Sequence, residues 1–227
     1  MDQNFESKSD NSVNGVSRSS RNNSLGREDY VRQVSPDRHP ATVRNRHQLK
    51  IATWNVQTML QKGKLQNVIQ EMKRMNINIL GLSEMRWKGA GCITSDGYKV
   101  LYSGGDQGHR GTGIILDADT AKAVKGYWAV SDRVIVTKLQ GKPFDIGIIQ
   151  VYAPTADKDE EELEKFYEAV EIAEKQLKSQ DIRIVMGDFN SKVGSERSDS
   201  VVGPFGIGEK NERGERPLNG VKNTIWR

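Results

Sequence analysis

Apolar positions follow no regular period through the first 47 residues, then recur in short, evenly spaced blocks as far as residue 187. The first block, KIATWNV at 50–56, is β-rich and of strand length. After a turn comes KLQNVIQEMKRMN, in which Leu65, Val68, Ile69, Met72 and Met75 share one helical face, so an amphipathic helix is predicted over 64–76. INILGL at 77–82 is almost wholly apolar, the pattern of a strand covered on both faces. Five further β-type segments follow at 98–103, 112–117, 123–130, 132–139 and 144–152, close enough in sequence to pair as antiparallel hairpins. A second helix is predicted over 157–180, where Leu163, Phe166, Tyr167, Val170, Ala173 and Leu177 form the stripe and Asp157 with Glu160 form a capping box. IRIVMG at 182–187 reads as one more buried strand.

The order strand, helix, strand, antiparallel meander, helix, strand predicts an α+β fold of sheets packed with helices. Residues 1–47 are rich in Ser, Asn and Arg and are expected to form a disordered tail, because they cannot bury enough surface to offset their ordering entropy. From Ser191 onward Gly, Pro and charge dominate, and loop is expected.

Charge changes this picture little. Thirty-four Lys and Arg stand against 30 Asp and Glu, a balance of +4 that is compatible with a polyanionic partner without requiring one. Cys92 is the single cysteine, which excludes an intrachain disulfide and a cysteine-based zinc site and suits a reducing compartment, nucleus or cytoplasm. Neither a signal-type N-terminus nor a run near the roughly 18 apolar residues of a membrane span is present, so secretion and membrane insertion are not expected.

Polar residues recur at four predicted strand ends: Asn55, Glu84, Tyr152, and the pair Asp188 and Asn190. Strand ends of a layered fold open toward one edge, where residues distant in sequence can converge. Two carboxylates suit a hard divalent ion whose remaining ligands are water and phosphate, and Asn and Tyr can orient a phosphate or stabilise developing charge. Each residue also has a plainer reading. Glu84 and Asp188 can cap turns, Tyr152 can be a half-buried strand residue, and Arg86 and Trp87 can either pack or contact nucleic acid by phosphate pairing and stacking. SGGDQGHRGTG at 103–113 resembles a phosphate loop, but no helix follows it, so a hairpin loop is expected.

The segments TWNV, LSE, QVYAP and GDFN resemble, in order and spacing, the motifs of the endonuclease/exonuclease/phosphatase superfamily over about residues 49–215. SEMRWKGAG, HRGTGIIL and GDFNSKVG, followed by VVGPFGIGEKNERGER, are similar to the endonuclease domain of RTE-type non-LTR retrotransposons. The resemblance implies a four-layer α/β/β/α sandwich over 48–227, C-terminally truncated. It implies that Glu84, Asn55 and Asp188 hold Mg2+ or Mn2+. Tyr152, Asp188 and Asn190 would be catalytic, and Asn55, Arg86 and Trp87 would bind phosphate or DNA. The reaction would be hydrolysis of a DNA phosphodiester. Family members carry a further Asp and an Asp-His pair beyond this region, whereas the histidines here are His39, His47 and His109. An impaired nuclease is therefore expected, and a non-catalytic DNA- or protein-binding fragment and a phosphatase stand as alternatives.

Overall fold

The computed structural model describes residues 48–155 and 157–192, with the backbone of Arg32–Gln33. Among the described residues ten strands and three helices follow in the order β1 (Arg32–Gln33), β2 (Ile51–Asn55), α1 (Lys64–Met75), β3 (Ile79–Ser83), β4 (Ala90–Ser95), β5 (Tyr98–Ser103), β6 (Thr112–Leu116), α2 (Ala118–Ala121), β7 (Val124–Ser131), β8 (Val134–Leu139), β9 (Ile146–Tyr152), α3 (Glu160–Lys175) and β10 (Ile182–Asp188). They form two five-stranded sheets, ordered β2-β3-β6-β5-β4 and β1-β7-β8-β9-β10. The predicted meander is thus divided. β6 and β7 do not pair; the short helix α2 carries the chain from one sheet to the other.

Period-two alternation explains the layering. In β3, Leu80 and Leu82 join Val68, Ile69 and Met72 of α1 in one core, while Ile79 joins Leu101, Ile114, Ile135 and Ile148 in a core between the sheets. Ile149 and Val151 of β9 and Val134 and Val136 of β8 face Leu163, Phe166 and Ala173 of α3 in a third core. The layers therefore run α1, first sheet, second sheet, α3. Each fully buried Ile, Leu or Met at these positions stabilises the fold by roughly 1.5–3 kcal/mol relative to exposure.

Each sheet also contains one parallel pair bridged by its helix, β2-α1-β3 and β9-α3-β10. The carboxyl ends of both pairs are aligned, with Asn55 opposite Ser83 and Asp188 opposite Tyr152. α1 ends at Asn76, whose left-handed backbone (φ 54) closes the last turn while the Ile77 amide donates to Met72 O at 2.9 Å.

Local details differ from expectation. α3 is capped by Asp159, whose side chain accepts from the Glu162 amide at 2.8 Å, rather than by Asp157. Its helix ends at Lys175, short of Gln180. β4 was not foreseen, and β10 is not covered on both faces: among the described residues it is the edge of its sheet, with Ile182 and Val185 exposed. Arg32–Gln33, inside the expected tail, pairs antiparallel with Tyr127 and Trp128. The rest of 1–47 and the expected loop from 193 onward lie outside the described residues.

Candidate active site

The carboxyl ends of the two parallel pairs bring Asn55, Glu84, Tyr152 and Asp188 together, although they span both sheets. The Asn55 side-chain amide donates to Glu84 Oε1 at 2.8 Å and to Asp188 Oδ2 at 2.9 Å. One nitrogen thus holds two carboxylates, one after β3 and one at the end of β10, facing each other. The Gln57 amide donates to Asn55 Oδ1 at 3.0 Å, which fixes which way the Asn55 amide points. Asn55 consequently offers N–H groups and not its oxygen to the carboxylates, and ligating a cation through that oxygen would require the amide to turn over.

Local backbone geometry aims these groups. Glu84 and Arg86 both adopt left-handed φ, 59° and 60°, around the buried Met85, a conformation that costs energy in residues with side chains. The segment is held there by main-chain bonds to the β5–β6 loop: Met85 N to Gly111 O at 3.0 Å and Arg86 N to Arg110 O at 2.8 Å. In GDFN, Gly187 lies so close to β9 that a Cβ would sit 2.0 Å from Val151 O, and its φ of 142° suits glycine alone. The Asp188 carbonyl then accepts from the Ala153 amide at 2.8 Å, and Asn190 is tied in twice, its amide to Asp188 Oδ1 at 3.1 Å and its side chain to Ala153 O at 2.7 Å.

Beneath the site the space between the sheets turns polar. Gln150 Nε2 donates to Ser83 Oγ at 3.0 Å, and Ser83 Oγ donates to Val151 O at 3.2 Å, all fully buried. These bonds join β3 and β9 directly below Glu84 and Tyr152. Burial, then the negative charge of Glu84 and a hydrogen bond with it, push the Tyr152 hydroxyl above its ordinary pKa, and the Arg133 guanidinium opposes them. Arg133 stacks over the Tyr152 ring, 5.0 Å from its centroid.

Arg86 reaches Glu84 Oε2 at 3.6 Å and remains 46% exposed. Trp87 is differently placed: its N–H donates to Met59 O at 3.1 Å and its ring meets Tyr102 edge-on at 5.1 Å, so both its donor and its ring are already engaged within the protein. Sequence reasoning missed Ser83, Gln150, Arg133 and Glu162. Ser83 and Gln150 lay inside the motifs LSE and QVYAP as polar residues in otherwise apolar strands, the one signal that could have found them.

The donor set suits a Mg2+-type ion, which is held by one or two carboxylates with water and phosphate. Glu84 and Asp188 supply two such oxygens side by side, and no group of three or more His, Cys, Asp or Glu side chains able to cage a metal occurs among the described residues. A cavity of about 230 Å³ lined by Lys73, Asn78, Tyr98 and Asp117 lies elsewhere, at the opposite end of the first sheet. No helix among the described residues is long and apolar enough to cross a membrane.

The model of the Endonuclease/Exonuclease/phosphatase family matches residues 52–209. Craniofacial development protein 2 of Bos taurus is 41% identical over 167 residues, 73% of this chain and 28% of that protein. The Tragulus javanicus counterpart is 41% identical over 170 residues, 74% of this chain and 29% of its own length. The chain thus spans less than a third of these curated relatives. Among solved structures, the fold is similar to the endonuclease domain of TRAS1, a telomere-specific non-LTR retrotransposon (TM-score 0.53, 17% identity, 78% of this chain and 71% of that one). It is also similar to AP endonuclease LMAP from Leishmania major (TM-score 0.52, 14% identity, 82% and 71%).

Proposed function

Because the chain belongs to the endonuclease/exonuclease/phosphatase family, we propose that its paired carboxylates form the phosphodiester site of a retroelement-derived, divalent-metal-dependent DNA endonuclease. The observation that carries this reading is the Asn55 amide, which gathers Glu84 and Asp188 from two sheets onto one nitrogen. In this reading Glu84 and Asp188 hold Mg2+ or Mn2+, and Asn55 acts as a donor that keeps the two carboxylates apart at a fixed spacing. When bound, such an ion polarises a phosphoryl oxygen and helps to lower the pKa of water.

The remaining steps fall to this chain's own groups. Asp188, with its second oxygen held by the Asn190 amide, orients the attacking water and accepts its proton. Tyr152, a neutral phenol at physiological pH, donates a hydrogen bond to a non-bridging phosphate oxygen as charge develops there. Arg86, exposed beside Glu84, pairs with a flanking phosphate.

The test is conversion of supercoiled plasmid to open circle in Mg2+, Mn2+ or EDTA. The expected result is metal-dependent nicking that Asp188→Ala abolishes. Equal nicking by wild type and Asp188→Ala, or nicking in EDTA, would overturn the reading. Affinity for DNA should also fall steeply with salt if phosphate contacts dominate.

A further inference from the structure

Directly behind Tyr152 lies an ion-pair network that reaches across three elements. Arg133, between β7 and β8, has a side chain only 7% exposed. Its Nη1 donates to Tyr152 O at 3.1 Å and its Nη2 to Glu162 Oε1 at 2.7 Å, while its guanidinium carbon lies over the Tyr152 ring, 5.0 Å from the centroid. The main chain repeats the connection, with the Tyr152 amide donating to Arg133 O at 2.8 Å. Arg133 Nε is buried without a hydrogen-bond partner, so the side chain is placed to suit its terminal nitrogens and its flat face at the expense of its own full solvation. Glu162, in the first turn of α3, also pairs with Arg110 from the β5–β6 loop, and Arg110 reaches Asp132 at 3.6 Å. That same loop holds the Glu84–Arg86 backbone.

We propose that Arg133, clamped by Glu162, is the positioning residue for Tyr152, and that the clamp connects the tyrosine to the loop that aims Glu84. The role needs a guanidinium. A planar fork can bond a carbonyl and a carboxylate at once while lying flat on an aromatic ring, whereas an ammonium offers a point charge and no plane. Without the fork the phenol is free to tilt, and its hydroxyl leaves the position facing Glu84. This inference rests on the endonuclease reading for its catalytic consequence, but not for its structural one.

The experiment uses the full chain labelled with 3-fluorotyrosine, with the Tyr152 19F resonance assigned by its loss in Tyr152→Phe. Arg133→Lys preserves charge and is expected to shift or broaden that resonance while those of Tyr98 and Tyr102 stay put. Glu162→Gln, at a partly exposed position, is expected to shift it in the same direction by less, and it decides the matter if Arg133→Lys fails to fold. A Tyr152 resonance unmoved in the folded variants overturns the proposal. In the nicking assay Arg133→Lys should lower kcat about 10- to 100-fold with KM within about twofold, because displacing a positioned group by about 1 Å can cost ~10²-fold. An unchanged kcat in a nicking-competent protein also overturns it. If the resonance moves but wild type does not nick, the endonuclease reading fails and the positioning role stands.

Discussion

Gly81 is the residue through which the inter-sheet packing is most directly tested. A Cβ at this position would lie 1.9 Å from Gln150 Oε1, 2.6 Å from Gln150 Cδ and 2.8 Å from Met186 Cε. Met186 is flexible and can move aside. Gln150 cannot do so without loss, since it is fully buried and its Nε2 is committed to Ser83 Oγ. Overpacking of this kind costs about 1–3 kcal/mol, and rupture of the buried hydrogen bond costs about 1–3 kcal/mol more. Alanine regains roughly 0.5–1 kcal/mol over glycine in a strand, so Gly81→Ala should destabilise the fold by about 1–5 kcal/mol. Urea unfolding would show a lower midpoint at an unchanged m-value. Gly81→Ala combined with Gln150→Ala should recover part of the loss, with a coupling of about 0.5–3 kcal/mol between the two positions. A loss under ~0.5 kcal/mol, or strict additivity, would show that Gln150 does not occupy the space that glycine leaves.

Other perturbations probe the site and its surroundings. Asn55→Ala leaves Glu84 and Asp188 facing each other without their shared donor; the variant should lose about 2 kcal/mol in EDTA, and Mg2+ should raise its Tm more than that of wild type, whereas equal shifts would refute a shared-donor role. Burial alone would raise the Glu162 carboxyl, but the hydrogen bond from Arg133 and the charges of Arg110 and Arg133 outweigh it and hold the group below its ordinary range. Its ion pairs therefore stabilise the protein above the unfolded carboxylate value of about 4.3 and are lost as pH falls through the lower folded value. Glu162→Gln should flatten that acid limb in a pH series of Tm, and an identical acid limb would count against the pairing. Val185→Lys, on β10, an edge strand among the described residues, should change stability by less than ~0.5 kcal/mol while reducing concentration-dependent light scattering, as charged edges resist pairing.

Much of this architecture was legible because the chain announces its elements by period. α1 was visible in Leu65, Val68, Ile69 and Met72, and β3 in an unbroken apolar run, since both depend on local pattern alone. β4 was not, because AGCITS at the sheet edge is largely exposed and shows no alternation. β8 is buried along its whole length, so sequence could not tell which neighbour covers which face or that the meander divides between two sheets. The same limit applies to β10: an apolar run looks alike in the middle of a sheet and at its edge. At the site, the motif segments pointed to the residues that converge, but not to how they meet. Whether Asn55 presents its oxygen or its N–H groups depends on the Gln57 amide, a contact that no spacing encodes. Arg133 and Glu162 stood out still less, one a lone cation between strands and the other one of three consecutive glutamates suited to a helix start.

The packing between the sheets is oily along most of its length and turns polar toward one end, where Ser83 bonds Gln150 and Val151 beneath the carboxylates and, farther across, Ser103 Oγ donates to Ser131 O at 2.6 Å. Apolar burial is non-directional and rewards area covered more than any one pairing of atoms. The Gln150–Ser83 bond has direction and a single length at which it forms, so it works as a detent that indexes one sheet against the other. A chain that slipped there would keep its strands, its helices and most of its buried area, and would still carry its two acids out of reach of one another.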